Sequence, residues 1–290
     1  YEEYGEGCLQ YLRGMFSFAI WDKRQNILFA ARDRFGEKPF FYYLKDGKFI
    51  FASELKAILA TGIIKKDLNL RAVADYFSYG CAQAPDTMIK DVFQLLPAHC
   101  LIFENGRLEI KKYWTIDCLE IVNTKKKEEE HVHQIRHMLD EAVKIRLISD
   151  VPLGAFLSGG IDSSAVVALM HRHSTRSVKT FSIVFDEESY DEREFANRIA
   201  DMYHTDHRQI LLKESDILKE IPVIFSAMDQ PSADGFNTFV ISKAVKETGL
   251  TVALSGLGGD ELFAGYPSFK ILPQIARLLN YTKYIPAKQC

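Results

Sequence analysis

Two stretches of this sequence combine glycine, hydroxyl and carboxylate residues at a spacing suited to phosphate chemistry. The first, FLSGGIDSS (156–164), runs from an apolar segment into Ser158, Gly159, Gly160, Asp162, Ser163 and Ser164, then into the helix-like AVVALM. Adjacent glycines let a backbone turn tightly and approach a ligand, and the amides that open a helix offer N–H groups at the positive end of its dipole. Such a cup suits a phosphate or pyrophosphate. The serines add hydroxyl donors, while Asp162 fits beside phosphate only when a divalent cation bridges the two. An ordinary strand-to-helix turn with Asp or Ser as N-cap uses the same residues without any ligand. No G-x-x-x-x-G-K-[ST] loop occurs in the chain, so the Walker arrangement is excluded.

The second stretch, TVALSGLGGDELFAGY (251–266), repeats the design with Ser255, Gly256, Gly258, Gly259 and the acidic pair Asp260 and Glu261. Alone, that pair reads as carboxylates favourably placed at a helix start. With the first loop on the same sheet edge, Asp162 and Asp260 would hold one or two Mg²⁺ ions against a triphosphate, which needs hard oxygen ligands and charge neutralisation.

The elements that must carry these loops change rhythm along the chain. Residues 14 to 53 read as short strands with alternating aromatic and β-branched residues, punctuated by FGEKP and KDGK, which predicts a layered antiparallel structure. Helices are expected around ELKAILATG and LRAVADYFSYG, and a hairpin at AHCLIFEN and RLEIKKYW, joined by Asn105-Gly106. This half is α+β. Residues 117 to 130 end in the charge block TKKKEEE, a linker or exposed helix start. Beyond it, helices (VHQIRHMLDEAVKIRLI, SAVVALMHRH, EREFANRIADMY, VISKAVKETG) alternate with apolar strands (LGAFL, VKTFSIVF, HRQILL, TVALS). That alternation predicts a doubly wound parallel sheet, with its ligand beyond the carboxyl ends of the strands.

The order serine-glycine-glycine-x-aspartate-serine resembles the pyrophosphate loop of the N-type ATP pyrophosphatases, which cleave ATP between its α and β phosphates. FLSGGIDSS with LSGLGGDELFAGY, preceded by RGMFSFAIWD, RDRFGEKPFFY and FASELKAIL, is similar over essentially the whole chain to class II glutamine-dependent asparagine synthetase, the asparagine synthase B type. The resemblance implies that residues 1–116 are the C-terminal part of a class II glutamine amidotransferase domain, of the N-terminal-nucleophile type. Residues 117–290 would begin an ATP pyrophosphatase domain of the adenine nucleotide α-hydrolase kind, cut short at its C-terminus. The implied reaction activates the aspartate side chain with ATP as β-aspartyl-AMP, releases pyrophosphate, and amidates with ammonia from glutamine. By the same resemblance Leu157 and Ile183 line the adenosine site, and Ser255 with Gly256 closes on the nucleotide. Ser158, Gly159, Gly160, Asp162, Ser163 and Ser164 hold pyrophosphate, Asp162 and Asp260 face Mg²⁺, and Glu261 joins the catalytic carboxylates. A cytoplasmic homodimer acting on small molecules is the implied setting.

Three departures from the family pattern bear on this reading. Nothing resembles the N-terminal Cys-Gly-Ile of the glutaminase; Cys8 lies inside EGCLQYLRG, as a core thiol. Some bacterial members carry a glutamate where Leu257 stands, leaving the acceptor carboxylate open. The chain starts at YEEYGEG rather than Met and ends soon after GYPSFK, so it is expected to be part of a longer protein, inactive by itself as a glutaminase. Ser232, Asp234, Asn237 and Thr238, in DQPSADGFNTFVISKA, either contact the acceptor or form a capped loop. A sugar carboxylate as acceptor, or a silent ATP-binding interaction module, are the competing readings. A pyrophosphatase of the argininosuccinate or tRNA-modifying kind fits less well, because the first half is glutaminase-like and no basic surface stands out.

Composition narrows the rest. The 290 residues are 47% hydrophobic and 26% charged, with a net charge of −3, as in a soluble globular chain of about two domains. Interspersed charges of both signs give no footprint for nucleic acid, and no apolar run is long enough to span a membrane. Cys8, Cys81, Cys100, Cys118 and Cys290 are widely spaced with no C-x-x-C pair, so reduced thiols are expected. His131, His133 and His137 read as a solvated helix face rather than metal ligands.

Overall fold

The computed structural model describes residues 1–116, 127–185, 193–212 and 214–282. The chain divides into two compact units: Tyr1–Lys125 with Lys219–Val240, and Lys126–Leu218 with Ile241–Cys290. Of the expected linker or helix start at 117–130, residues 117–126 lie outside the described residues, as do Cys118 and Cys290, and Glu128–Glu130 open a helix.

In the first unit, strands β1 (Ser17–Asp22), β2 (Ile27–Arg32), β3 (Phe41–Lys45) and β4 (Lys48–Ala52) precede helices α1 (Leu55–Ala60) and α2 (Leu70–Tyr79); β5 (Val92–Gln94), β6 (His99–Glu104) and β7 (Arg107–Lys112) follow. They form two antiparallel sheets, ordered β1-β2-β6-β7 and β4-β3-β5. The predicted hairpin is present: Glu104 pairs with Arg107, and Asn105 (φ 49°) and Gly106 (φ 77°) supply the two left-handed residues that such a turn demands.

Side-chain alternation along β2 explains the layering. Phe29 and Ala31 enter a core with Leu9 and Cys100 on one face, while Ala30 joins Phe40, Tyr42, Leu95 and Leu101 on the other. On β3, Tyr42 shares that inner layer, whereas Phe41 and Tyr43 pack with Leu55 and Ile58 of α1. Each large apolar side chain so enclosed contributes about 1.5–3 kcal/mol. Cys8 is half-buried against the first of these cores.

In the second unit, α3 (Glu128–Arg146), β8 (Leu153–Phe156), α4 (Ile161–His173), β9 (Lys179–Phe185), α5 (Arg193–Met202) and β10 (Asp206–Leu212) alternate. Helices α6 (Glu214–Ala227) and α7 (Gly235–Glu247), β11 (Val252–Leu254), α8 (Gly259–Phe263) and α9 (Ser268–Thr282) complete the chain. The sheet is parallel, in the order β10-β9-β8-β11. One face packs Ala155, Leu157 and Val178 against Val143 of α3, Val167 and Met170 of α4, and Ala196 and Ala200 of α5. The other packs Phe181 against Val245 of α7 and Leu250, with Phe156 and Ile210 beside them. Both faces are covered, as a doubly wound parallel sheet requires. On α3, His133 and His137 are exposed.

Candidate nucleotide site at the strand reversal

The strand order fixes where a ligand belongs. From β8 the chain steps outward to β9 and β10, then returns to place β11 on the opposite side of β8. Open α/β sheets bind ligands outside the strand carboxyl ends where the order reverses, here between β8 and β11. The two glycine-serine loops leave those two strands.

The first loop is tightly built. Gly159 has φ +83°, and a Cβ there would lie 2.5 Å from Phe195 Cβ and 2.7 Å from the Ala196 nitrogen at the start of α5. Only glycine fits. Gly160 is the N-cap of α4, so Asp162, Ser163 and Ser164 lie in its first turn. The serines make a closed ring: the Gly160 N–H donates to Ser158 Oγ (3.3 Å), Ser158 donates to Ser163 Oγ (3.1 Å), and Ser163 donates to the Gly160 carbonyl (3.1 Å). The direction follows because each hydroxyl has one hydrogen. Ser164 Oγ, by contrast, is buried without a hydrogen-bond partner.

The second loop closes on the first. A Cβ on Gly256 would lie 2.8 Å from the Ser163 nitrogen and 2.9 Å from Asp162 Cβ, and one on Gly259 would overlap the Asp162 carboxylate. Within it, the Leu257 N–H donates to Ser255 Oγ (3.1 Å) and the Gly259 N–H to the Gly256 carbonyl (3.1 Å). Leu257 is 90% exposed. Asp260 and Glu261 open α8; Glu261 accepts from the Tyr266 hydroxyl at 2.9 Å, which raises the Tyr266 pKa.

Ile183 sits one strand away on β9, paired with Ile210. Ser232, Asp234, Asn237 and Thr238 belong to the first unit. Asn237 and Thr238 lie inside α7 rather than ahead of it, and the Thr238 hydroxyl donates to the Asp234 carboxylate at 3.3 Å.

Sequence reasoning missed the buried hydroxyls behind the first loop. Ser182 (6% exposed) and Thr180 (0%) lie on β9, and Ser182 donates to the Leu157 carbonyl. Their signal was present: polar residues at alternate positions in the apolar strand KTFSIVF.

Fold and site together define an α/β protein with two facing glycine-rich loops at the reversal point of a parallel sheet. Residues 134–286 match the family described as asparagine synthase, and residues 1–114 match the one described as glutamine amidotransferase domain. The chain belongs to the asparagine synthase family. It is 41% identical over 273 residues to putative asparagine synthetase [glutamine-hydrolyzing] 2 of Methanocaldococcus jannaschii, covering 92% of this chain and 52% of that protein. Asparagine synthetase [glutamine-hydrolyzing] 3 of Bacillus subtilis is 33% identical (93% and 46%), and amidase chyE of Penicillium rubens is 36% identical (93% and 42%). The chain therefore spans about half the length of these relatives.

Proposed function

We propose that the chain carries the nucleotide-activating part of a glutamine-hydrolysing asparagine synthetase. The observation that carries this reading is the convergence of the two loops, which leaves Gly256 and Gly259 no room for a side chain beside Asp162. In this reading the first loop holds the β and γ phosphates of ATP on its glycine amides, and the orphaned Ser164 hydroxyl gains an acceptor. Ser158 and Ser163 turn outward from their ring to donate to the same oxygens. Leu157 and Ile183 border adenosine, and Ser255 and Gly256 close over the nucleotide.

The aspartate carboxylate attacks the α phosphorus, the bond to the β-bridging oxygen breaks, and pyrophosphate departs. Ammonia then attacks the acyl carbon, AMP leaves, and one proton is lost. Donors fixed in advance around the departing pyrophosphate are the main contribution the protein can make. Asp162, packed against Gly256 and Gly259, and Asp260, at the start of α8, would supply hard oxygen ligands to Mg²⁺, which would neutralise charge on the leaving group. Glu261, tied to Tyr266, is the third carboxylate of the set. Residues 1–116 are assigned to the glutaminase domain that supplies ammonia and residues 117–290 to the synthetase domain. A cytoplasmic homodimer completes the reading and rests on the family alone.

The test is ATP–pyrophosphate exchange with Mg²⁺ on the protein at the length of its relatives. Aspartate, a panel of sugar acids and no acceptor are compared, since relatives of similar identity carry both synthetase and amidase names. Aspartate-dependent exchange that falls about 10²–10³-fold in Asp162→Ala is expected, the size of a lost preorganised charge-stabilising group. Exchange with another carboxylate alone would replace the acceptor, and ATP binding without exchange would favour a silent module.

A further inference from the structure

Leu157, the residue that leads into the first loop, is 1% exposed and is held on both sides of its backbone. Its N–H donates to the Phe181 carbonyl at 2.8 Å, and its own carbonyl accepts from the Ser182 hydroxyl. Behind Ser182 stands His207 on β10, in register with Thr180. His207 Nε2 lies 3.4 Å from Ser182 Oγ and Nδ1 lies 2.8 Å from Thr180 Oγ1, which is in turn 2.9 Å from Thr205 Oγ1.

Counting protons gives the chain a direction. Ser182 has a single hydrogen, which goes to Leu157, so toward His207 it offers only a lone pair and Nε2 must carry the proton. In the neutral ring Nδ1 then accepts from Thr180, and Thr180 accepts from Thr205. Burial pushes the His207 pKa below its ordinary value, with Asp201 of α5 opposing, a direction that favours the neutral ring. The result is one relay: Thr205, Thr180, His207, Ser182, Leu157 carbonyl. Polar groups buried in a sheet are costly unless every partner is matched, and here the matched chain ends on the peptide that opens the loop.

We propose that His207 is a positioning residue for the nucleotide loop, acting through Ser182. The Leu157 carbonyl and the Ser158 N–H belong to one planar peptide, so anchoring the first aims the second. Ser158 then enters the Gly159-Gly160 turn with the direction of its amide fixed in advance, so that only the serine hydroxyls reorganise when phosphate binds. This rests on the nucleotide reading above and extends it to residues that touch no substrate.

The experiment compares ATP affinity, exchange rate and melting temperature of the relative-length protein with those of His207→Gln, His207→Asn and Ser182→Ala. A glutamine amide at 207 reaches Ser182 as Nε2 does, whereas asparagine keeps only the contact toward Thr180. His207→Gln should bind ATP within about threefold of the parent, and His207→Asn and Ser182→Ala at least about tenfold more weakly, equivalent to about 1.4 kcal/mol. The Gln and Asn variants should melt together, which separates positioning from packing. Equal losses in Gln and Asn, or parent-like affinity in all three, would overturn the proposal while leaving the nucleotide reading intact. Absence of ATP binding by the parent would instead overturn the reading beneath it. Nitrogen-15 imidazole spectra give a check independent of ATP: an Nδ1–H tautomer for His207 would reverse the relay and end the proposal.

Discussion

At the scale of single residues, the first loop combines local satisfaction with one unmet group. Ser158 and Ser163 complete each other's hydrogen bonding through Gly160, while Ser164 Oγ is buried and unpaired. Removing an unsatisfied buried hydroxyl relieves a desolvation cost of about 1–3 kcal/mol. Ser164→Ala is therefore expected to stabilise the ligand-free protein by about 1 kcal/mol in urea unfolding while weakening ATP binding; a less stable variant would show that the hydroxyl is already satisfied. Gly159→Ala places a side chain at positive φ and against Phe195 Cβ, and should cost about 1–3 kcal/mol together with most of the exchange activity. The identities of these residues were legible in the sequence. The ring that consumes two of the three hydroxyls was not, because it depends on the rotor each serine adopts once α4 begins at Ile161.

At the scale of elements, most segments follow their periodicity, and the exceptions have identifiable causes. Helix α6 contains Pro222, which reads as a breaker in sequence, so local signals do not predict the helix. Helix α7 begins at Gly235, earlier than the apolar run VISKAVKE suggests, because the residues of its first turn carry no periodic signal. Helix α1 has no side-chain cap from its own N-cap residue, Glu54; instead the Asp229 carboxylate accepts from the N–H groups of Leu55 (2.5 Å) and Lys56 (2.9 Å). Lys56 answers by donating to the Ser226 and Ala227 carbonyls. Losing an N-cap costs about 1 kcal/mol, so Asp229→Ala should lower urea stability by that amount and speed hydrogen exchange at Leu55 and Lys56 first. An unchanged exchange pattern would rule the cap out.

At the scale of the whole molecule, two half-buried groups set opposite limits on stability with pH. His207 has a folded pKa below its ordinary 6.5, so the unfolded chain binds the extra proton first; stability is full above that value and falls as pH drops through it. Tyr113 donates to the Arg32 carbonyl at 2.8 Å, and its pKa is raised from 10.0 to about 12, mainly by burial, then by Asp33, with Arg34 opposing. The unfolded chain ionises there first, so stability falls as pH rises from about 10 toward 12. Tyr42, raised by burial, adds to the same limb. Urea midpoints across pH should show both limbs; His207→Gln should flatten the acid one and Tyr113→Phe the alkaline one, and unaltered slopes would remove either assignment.

The sequence by itself determined the two glycine-serine loops, the switch from antiparallel to parallel architecture, and the Asn105-Gly106 hairpin. Local backbone preference and side-chain periodicity act within a few residues and are written in order along the chain. Tertiary structure alone decided that β11 returns beside β8, bringing Gly256 and Gly259 onto Asp162. It also decided that Asp229, 174 residues away, caps α1, and that Ser182 and His207 stand behind Leu157. These pairings depend on strand order and register, which are settled by packing both faces of a sheet at once and leave no local mark in the sequence.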